Sequence, residues 1–372
     1  MAGSVYGTLF QIMTWGESHG KGIGVTVDGC PAGLPLTEDH IQRYLDRRRP
    51  GQGRFTTKRQ EGDQVEILSG VFEGKTTGTP IAMEIRNQDQ RSRDYSDIMD
   101  VYRPGHADYT FDQKFGFRDY RGGGRSSGRE TAGRVAGGAV AARLLEAFGV
   151  RVQAYTRSIG EIQVASERFQ LEEMWKNSLY MPDQQAAKEA EAYLNEVMAE
   201  KDSAGGVIEC VITGLPAGVG DPVFDKLDAC LAKAILSIGG VKGFEIGEGF
   251  GAAALKGSQD NDGFCLGPEG RIRKTSNHAG GVLGGISDGA PVVFRAAIKP
   301  TPSISRVQKS VTRQGEECEL EIKGRHDPVI VPRAVVVVET MAALTAADLL
   351  LRSSVSRLDR LQKIFDGKGK ET

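Results

Sequence analysis

Arg121-Gly122-Gly123-Gly124-Arg125-Ser126-Ser127-Gly128-Arg129-Glu130 joins three consecutive glycines to the start of a helix. The glycines let the backbone turn with positive φ and come close to a ligand. Ser127 and Glu130 have the S-x-x-E spacing of a capping box, and Val135, Ala136, Ala139, Val140 and Leu144 then recur at helical intervals until Gly149 supplies a stop. A helix N-terminus presents unpaired N–H donors and a partial positive charge, so Arg125 and Arg129 beside it make a seat for phosphate or carboxylate. The plainer alternative is a capped surface helix after a glycine loop.

Working outward, Thr37 opens a helix with Ile41, Tyr44 and Leu45 on one face, and Pro50 ends it. Pro182-Asp183 starts another, with Ala187, Ala190, Leu194, Val197 and Met198 on its apolar side. Residues 24–27 and 65–68 read as short strands, 207–213 and 292–298 as buried ones, and 222–237 and 333–352 as long helices. The class is α/β (α+β). No repeat, charge block or low-complexity linker divides the chain, and residues 361–372 are expected to fray.

At 372 residues, 39% hydrophobic and 26% charged, the composition is that of a water-soluble globular protein. A formal net charge of -2 argues against nucleic-acid binding, which needs a basic excess to displace counterions. Arginine is nevertheless concentrated in residues 46–54 and again from Arg103 to Arg134, which suits a compact, multiply anionic small molecule. The five cysteines are widely spaced with no C-x-x-C pair, and no H-x-x-x-H pair occurs, so no metal site is expected. A signal-like N-terminus and a run of about 18 consecutive apolar residues are both lacking, so a cytoplasmic location without membrane contact is expected.

Four histidines sit in glycine-containing polar contexts: His19, His106, His278 and His326. Each alone reads as a turn histidine bonded to backbone; together, beside arginine and serine, they suggest acid–base chemistry. Two motifs are set aside. Gly16-Glu17-Ser18-His19-Gly20 is a literal G-x-S-x-G, but it runs into strand-forming residues where a nucleophile elbow needs a helix. Gly247-Glu248-Gly249-Phe250-Gly251-Ala252 imitates a dinucleotide fingerprint, yet Gly239-Gly240 and Gly243 interrupt the strand before it and no βαβ unit follows.

Seven segments, in order along most of the chain, resemble the chorismate synthase family: Gly16-Glu17-Ser18-His19-Gly20, Asp46-Arg47-Arg48-Arg49-Pro50-Gly51, Arg103-Pro104-Gly105-His106-Ala107-Asp108, Gly122 through Ser127 with Arg129-Glu130-Thr131, Ser276-Asn277-His278-Ala279-Gly280-Gly281, Lys299-Pro300-Thr301-Pro302-Ser303 and Gly324-Arg325-His326-Asp327-Pro328. The resemblance implies a single-domain sandwich of helices and antiparallel sheets over residues 1–360, assembled as a homotetramer. It implies a 1,4-anti elimination of phosphate from 5-enolpyruvylshikimate 3-phosphate to give chorismate, with reduced FMN (FMNH2) as cofactor, and NADPH only if the chain reduces its own flavin. Carried over, Ser18, Arg48, Arg54, Ser127, Arg129 and Arg325 bind substrate, which suits rigid guanidinium forks. His19 attends the leaving phosphate, His106 lies at the oxygen-bearing edge of the flavin, and Asp327 near its N5 accepts a proton. Arg125, Ser126, Ser127, Gly239, Gly240, Gly284, Lys299, Pro300, Thr301, Pro302, Ser303 and Arg325 hold FMN. Where relatives place an asparagine-containing pair, Gly239-Gly240 offers only backbone, and residues 260–275 look like a variable loop able to cover the site.

Two rivals remain. A serine hydrolase using Ser18 predicts fluorophosphonate labelling lost on Ser18→Ala. An RNA- or phosphopeptide-binding module using the arginine clusters predicts tight, steeply salt-dependent binding.

Overall fold

The N-terminal segments pair with their near neighbours in sequence. They form β1 (Val5–Tyr6), β2 (Gln11–Gly16), β3 (Gly22–Asp28), α1 (Glu38–Arg48), β4 (Val65–Ile67), a small hairpin of β5 (Val71–Phe72) and β6 (Lys75–Thr76), and β7 (Ile81–Arg86). These elements come from a computed structural model that describes residues 3–57, 61–88, 99–268, 270–322 and 327–365. One antiparallel sheet runs in the order β1-β2-β3-β7-β4. Period-two alternation gives it a core face: Ile23, Val25 and Val27 of β3 stand opposite Ile85, Met83 and Ile81 of β7, and all six are buried. In α1, Glu38 and Asp39 occupy the first turn and Arg47 and Arg48 the last, matching the helix dipole. Its C-cap, Arg49, is already extended at ψ 150, as a residue before Pro50 must be.

The middle of the chain gives α2 (Asp108–Phe115), α3 (Thr131–Glu146), β8 (Arg151–Ile159), β9 (Ile162–Gln163), α4 (Gln184–Ala199), β10 (Gly206–Thr213), α5 (Leu227–Leu236) and β11 (Val241–Ile246). The remainder adds α6 (Gly257–Asp260), β12 (Phe264–Leu266), β13 (Ile272–Lys274), β14 (Val282–Leu283), β15 (Ile286–Ser287), β16 (Val292–Ile298), β17 (Gln308–Val311), β18 (Glu317–Leu320), α7 (Val331–Ser353) and α8 (Leu358–Phe365). A second antiparallel sheet runs β11-β16-β10-β8-β9. Gly243 does not break β11; it sits at a bulge where the register with β16 shifts. The helix expected over 222–237 starts only at Leu227, because Val223 takes a φ of 72° that no right-handed helix admits.

The long helices lie between the two sheets. α3 packs on β2, β3 and β7 on one side and on α7 on the other, while α7 packs on β8 and β10. The expected one-sided apolar face of α3 is therefore incomplete: the helix is buried almost all round. Glycine makes that contact possible. A Cβ at Gly137 would lie 2.9 Å from Ile12 in the first sheet, and one at Gly138 would lie 2.5 Å from both Cβ and carbonyl oxygen of Thr340 in α7.

α7 has an 18-residue window of mean hydropathy 1.9, which a search for unbroken apolar runs passes over, and 83% of that window is buried inside the protein. It is a core helix. Its buried charges are each matched: Glu339 receives Arg47 Nη1 at 2.6 Å and Ala154 N at 3.0 Å, and Asp348 Oδ1 accepts from the backbone of Thr8, Leu9 and Phe10. At the C-terminus, helix α8 includes residues 361–365 of the stretch expected to fray, and residues 366–372 lie outside the described residues.

Candidate active site

The N-terminal end of α3 is built as an anion seat, with a difference from the expected capping box. Ser127 Oγ accepts from Arg129 N at 3.2 Å, and a 3-10 turn, Gly128–Glu130, leads into the helix. Glu130 does not reach back to close the box. Its carboxylate accepts from Thr14 Oγ1 (2.9 Å) and Arg134 Nε (2.7 Å), tying the helix start to β2. Arg125 is engaged in the same way: Nη1 donates to Gly16 O and Nη2 to Thr14 O and Oγ1. Its guanidinium thereby braces β2, and Ser126 beside it is exposed.

Gly16–Gly20 connects antiparallel β2 and β3, so no helix follows Ser18 as a nucleophile elbow would require. Ser18 is buried and its Oγ lies 3.1 Å from His19 Nδ1. The triple glycine makes room for this pair. A Cβ on Gly122 would sit 2.3 Å from His19 Nδ1 and 3.0 Å from Ser18 Oγ, so the loop that carries Ser126 and Ser127 rests directly on the His19 ring.

A second wall comes from distant sequence. A Cβ added at Gly239 would lie 3.9 Å from Ser126 O, and Gly240 O, at a residue of φ 93°, accepts Lys299 N at 2.9 Å. Lys299 Nζ donates to Gly105 O at 2.9 Å; burial, with Lys242 nearby, pushes its ammonium below the ordinary value. His106 Nε2 is 2.7 Å from Ser303 Oγ, and Nδ1 is 2.9 Å from Pro104 O. A carbonyl can only accept, so Nδ1 carries the hydrogen and Nε2 is the nitrogen that exchanges a proton. The motif is stapled by Arg103, which donates to Asp108 through Nε and Nη2, both at 2.7 Å. Burial alone would raise the Asp108 carboxyl, but Arg103 outweighs it and holds the group below the usual range. Thr301 Oγ1 is buried without a hydrogen-bond partner among the described residues.

Arg48 and Arg129 do not present free forks. Both guanidiniums meet Asp63: Arg48 through Nε (2.9 Å) and Nη2 (2.6 Å), Arg129 through Nη1. Arg48 Nη1 also donates to Gly128 O, and Arg129 Nε to Asn87 Oδ1. Arg48 is 2% and Arg129 5% exposed, and both guanidiniums pack behind the α3 N-terminus. Burial, helped by Arg333 and Arg129, pushes Arg48 down to about 10 against the pull of Asp63. Burial would raise Asp63, yet Arg48 and Arg129 together hold it low. Asp63 occupies left-handed backbone at φ 46°. Arg54 remains exposed, its guanidinium 6.0 Å above the Phe55 ring.

Asp327 joins this cluster from the C-terminal side. Its Oδ1 accepts Thr57 N at 2.8 Å and its Oδ2 accepts Arg333 Nη1 at 2.6 Å. Pro328 O receives Ala204 N, and the neighbouring Ser203 Oγ donates to Thr301 O, so Asp327 and the Lys299–Ser303 segment share one wall. Arg325 and His326 lie outside the described residues.

Gly284, His278 and the 260–275 loop lie apart from this cluster within one chain. Gly284 adjoins the N-terminus of α5, where Gly285 O receives Leu227 N, whereas Gly239 follows its C-terminus; the ten-residue helix separates them by about 15 Å. His278, whose Nδ1 is 2.9 Å from Glu248 Oε1, and the 260–275 loop pack at the Ile246 end of β11, while Gly240 precedes its Val241 end. The loop therefore does not cover the cluster. A cavity of about 690 Å³ lined by Tyr44, Leu145, Glu146, Arg151 and Gln153 sits at the opposite end of α3 and holds none of the candidate residues. Asp63 and Arg333 escaped the sequence reading, and Arg103 was read only as part of the His106 segment, not as the partner of Asp108.

Comparison with known proteins agrees with this geometry. Residues 10–351 match the chorismate synthase family model. A chorismate synthase of Lachnoclostridium phytofermentans is 62% identical over 98% of this chain and 100% of its own, and one of Agathobacter rectalis is 60% identical over 98% and 99%. A crystal structure of chorismate synthase superimposes with a TM-score of 0.77 at 34% identity, covering 97% of each chain. The chain belongs to the chorismate synthase family and is a lyase.

Proposed function

We propose that the cluster at the α3 N-terminus is where this chain performs the 1,4-anti elimination of phosphate from 5-enolpyruvylshikimate 3-phosphate to chorismate. The observation that carries this assignment is the convergence of Ser18–His19, Gly122–Ser127, Gly239–Gly240, Lys299, His106 and Ser303 at one end of α3. Segments more than 280 residues apart in sequence meet there: Arg48 O receives Arg333 Nε.

The substrate carries two carboxylates and a phosphate. The Ser127 hydroxyl and exposed Arg54 supply its direct donors. Arg48 and Arg129 act from behind: the two cations share Asp63, with Glu61 3.9 Å from Arg129, and Arg48 Nη1 holds the start of the 3-10 turn through Gly128 O. As the C–O bond lengthens, charge grows on the departing phosphate and His19, oriented by Ser18, donates to it. The proton lost from C6 of the substrate goes to Asp327. His106 exchanges a proton at Nε2, its tautomer fixed by Pro104 O.

The donors fit a flavin mononucleotide: the exposed Ser126, the bare backbone of Gly239-Gly240, the 299–303 segment and the unpartnered Thr301 hydroxyl. Reduced FMN, when bound, lends electron density to the substrate while the C–O bond breaks. We assign a cytoplasmic homotetramer. Phe264, Leu266 and Ile272, all exposed on the β12–β13 hairpin, and Phe250 at 85% exposure support association between chains.

An anaerobic assay with chemically reduced FMN tests the reading, run beside one with oxidised FMN and NADPH. Chorismate and phosphate should form in equal amounts in the first mixture, and product in the second would mean that the chain also reduces its own flavin. An intact protein that binds both ligands and yields no chorismate with reduced FMN refutes it.

A further inference from the structure

We infer that Arg333 is a positioning residue for the elimination, holding Asp327 and the 49–57 loop in a single arrangement. Its Nη1 donates to Asp327 Oδ2 at 2.6 Å and its Nε to Arg48 O at 3.1 Å. The other carboxylate oxygen, Oδ1, accepts Thr57 N at 2.8 Å. The 49–57 loop, which carries Arg54, thus has its entry fixed at the Arg48 carbonyl and its exit at the Thr57 amide, and both fixings converge on the Arg333–Asp327 pair. The inference rests on Asp327 being the proton acceptor of the site.

The placement of Arg333 suits this work. It is the third residue of α7, directly after Pro332, on a 23-residue helix whose body is core. A side chain on a rigid helix can hold a carboxylate that sits on a loop, and the reverse is not true. Arginine is needed because Nε and Nη1 point to different acceptors in one fixed plane; a lysine ammonium can follow one or the other. Arg333 and Asp327 are 20% and 13% exposed at the side chain, so their pairing is partly sheltered from water. The charged group packed nearest from α1 is the Arg48 guanidinium, which Asp63 occupies.

The test is a double-mutant cycle on the full-length protein with reduced FMN, comparing Arg333→Met, Arg333→Lys, Asp327→Asn and Arg333→Met/Asp327→Asn. Arg333→Met should lower kcat by on the order of 10²-fold, as misplacing a reacting group does, with KM and FMN affinity little changed. Arg333→Lys should recover part of the loss. The double variant should have a kcat no lower than Asp327→Asn alone, because the arginine serves the proton transfer through the carboxylate it holds. Losses that multiply in the double variant, or normal kcat in Arg333→Met beside a slow Asp327→Asn, overturn the inference while leaving Asp327 in place. Normal turnover in Asp327→Asn removes the proton acceptor itself, and the inference with it. Should Arg333→Met fail to fold, Arg333→Lys decides: a reduced kcat at unchanged KM supports the inference, and wild-type kcat overturns it.

Discussion

Replacing Asp63 by asparagine removes the one carboxylate that Arg48 and Arg129 share while keeping the shape and a residue type that tolerates φ 46°. The backbone cost is thereby excluded, and what remains is electrostatic. The amide keeps one acceptor oxygen but no charge and sets an NH2 against one of the two guanidiniums; Arg48, 2% exposed, makes two bonds to Oδ2, whereas Arg129 also has Asn87 and the more distant Glu61. Breaking a buried pair by removing one partner costs about 3–5 kcal/mol, since an uncompensated charge stays behind. Spread over the unfolding entropy of 372 residues, that lowers the melting temperature by roughly 4–6 °C. Urea unfolding at several pH values adds a sign. Asp63 is held below its ordinary value, so its contribution is present above the unfolded carboxylate pKa of about 3.9 and is lost as pH falls through the lower folded value. The gap between wild type and Asp63→Asn should be full at pH 7 and pH 5.5 and shrink below about pH 4. A gap under about 1 kcal/mol at pH 7, the range of surface pairs, or one that stays constant into acid, refutes the account of this cluster.

His106→Ala should lower turnover by roughly 10²-fold or more with FMN affinity and melting temperature preserved, read by anaerobic kinetics and flavin fluorescence; near-normal turnover removes Nε2 from the chemistry. Gly122→Ala would place a methyl 2.3 Å from His19 Nδ1, so turnover should fall sharply while circular dichroism stays native. Gly138→Ala should act oppositely, destabilising the fold by about 1–3 kcal/mol through a clash with Thr340 at the α3–α7 contact.

The fold was legible where local chemistry and tertiary context agree. Thr37 before α1, Asp183 before α4, and the apolar alternation of β10 and β16 each announce their element, and each forms where its signal lies. Context overrode the signal elsewhere. The helical spacing of α3 showed one apolar face, but not that Gly138 would let the opposite face meet Thr340; the helix over 333–352 was legible, but not that its Glu339 and Asp348 find partners over 180 residues away. At the site, motif residues pointed to the loop at the α3 N-terminus and to the segments in which His106 and Ser303 meet. Residue types could not reveal that Arg48 spends its fork on Asp63, since that pairing depends on one left-handed residue in a loop. Arg333 was hidden for a similar reason, as an arginine at a helix start resembles any solvated charge. Gly284 shows the limit of carrying a position over: its segment is ordinary, and only the length of α5 shows that it cannot reach Gly239 within one chain.

The central claim is that one pocket at the α3 N-terminus takes both substrate and flavin. An experimental structure of the full chain soaked with 5-enolpyruvylshikimate 3-phosphate and FMN tests it most directly. The account predicts the substrate phosphate within hydrogen-bond distance, about 3 Å, of His19 and Ser127, the flavin ring between Ser126 and the 299–303 segment, and Asp327 facing C6 of the substrate. Ligands seated instead in the cavity beside Glu146 and Arg151, or His19 and Asp327 turned away from a substrate bound at Ser127, would contradict it.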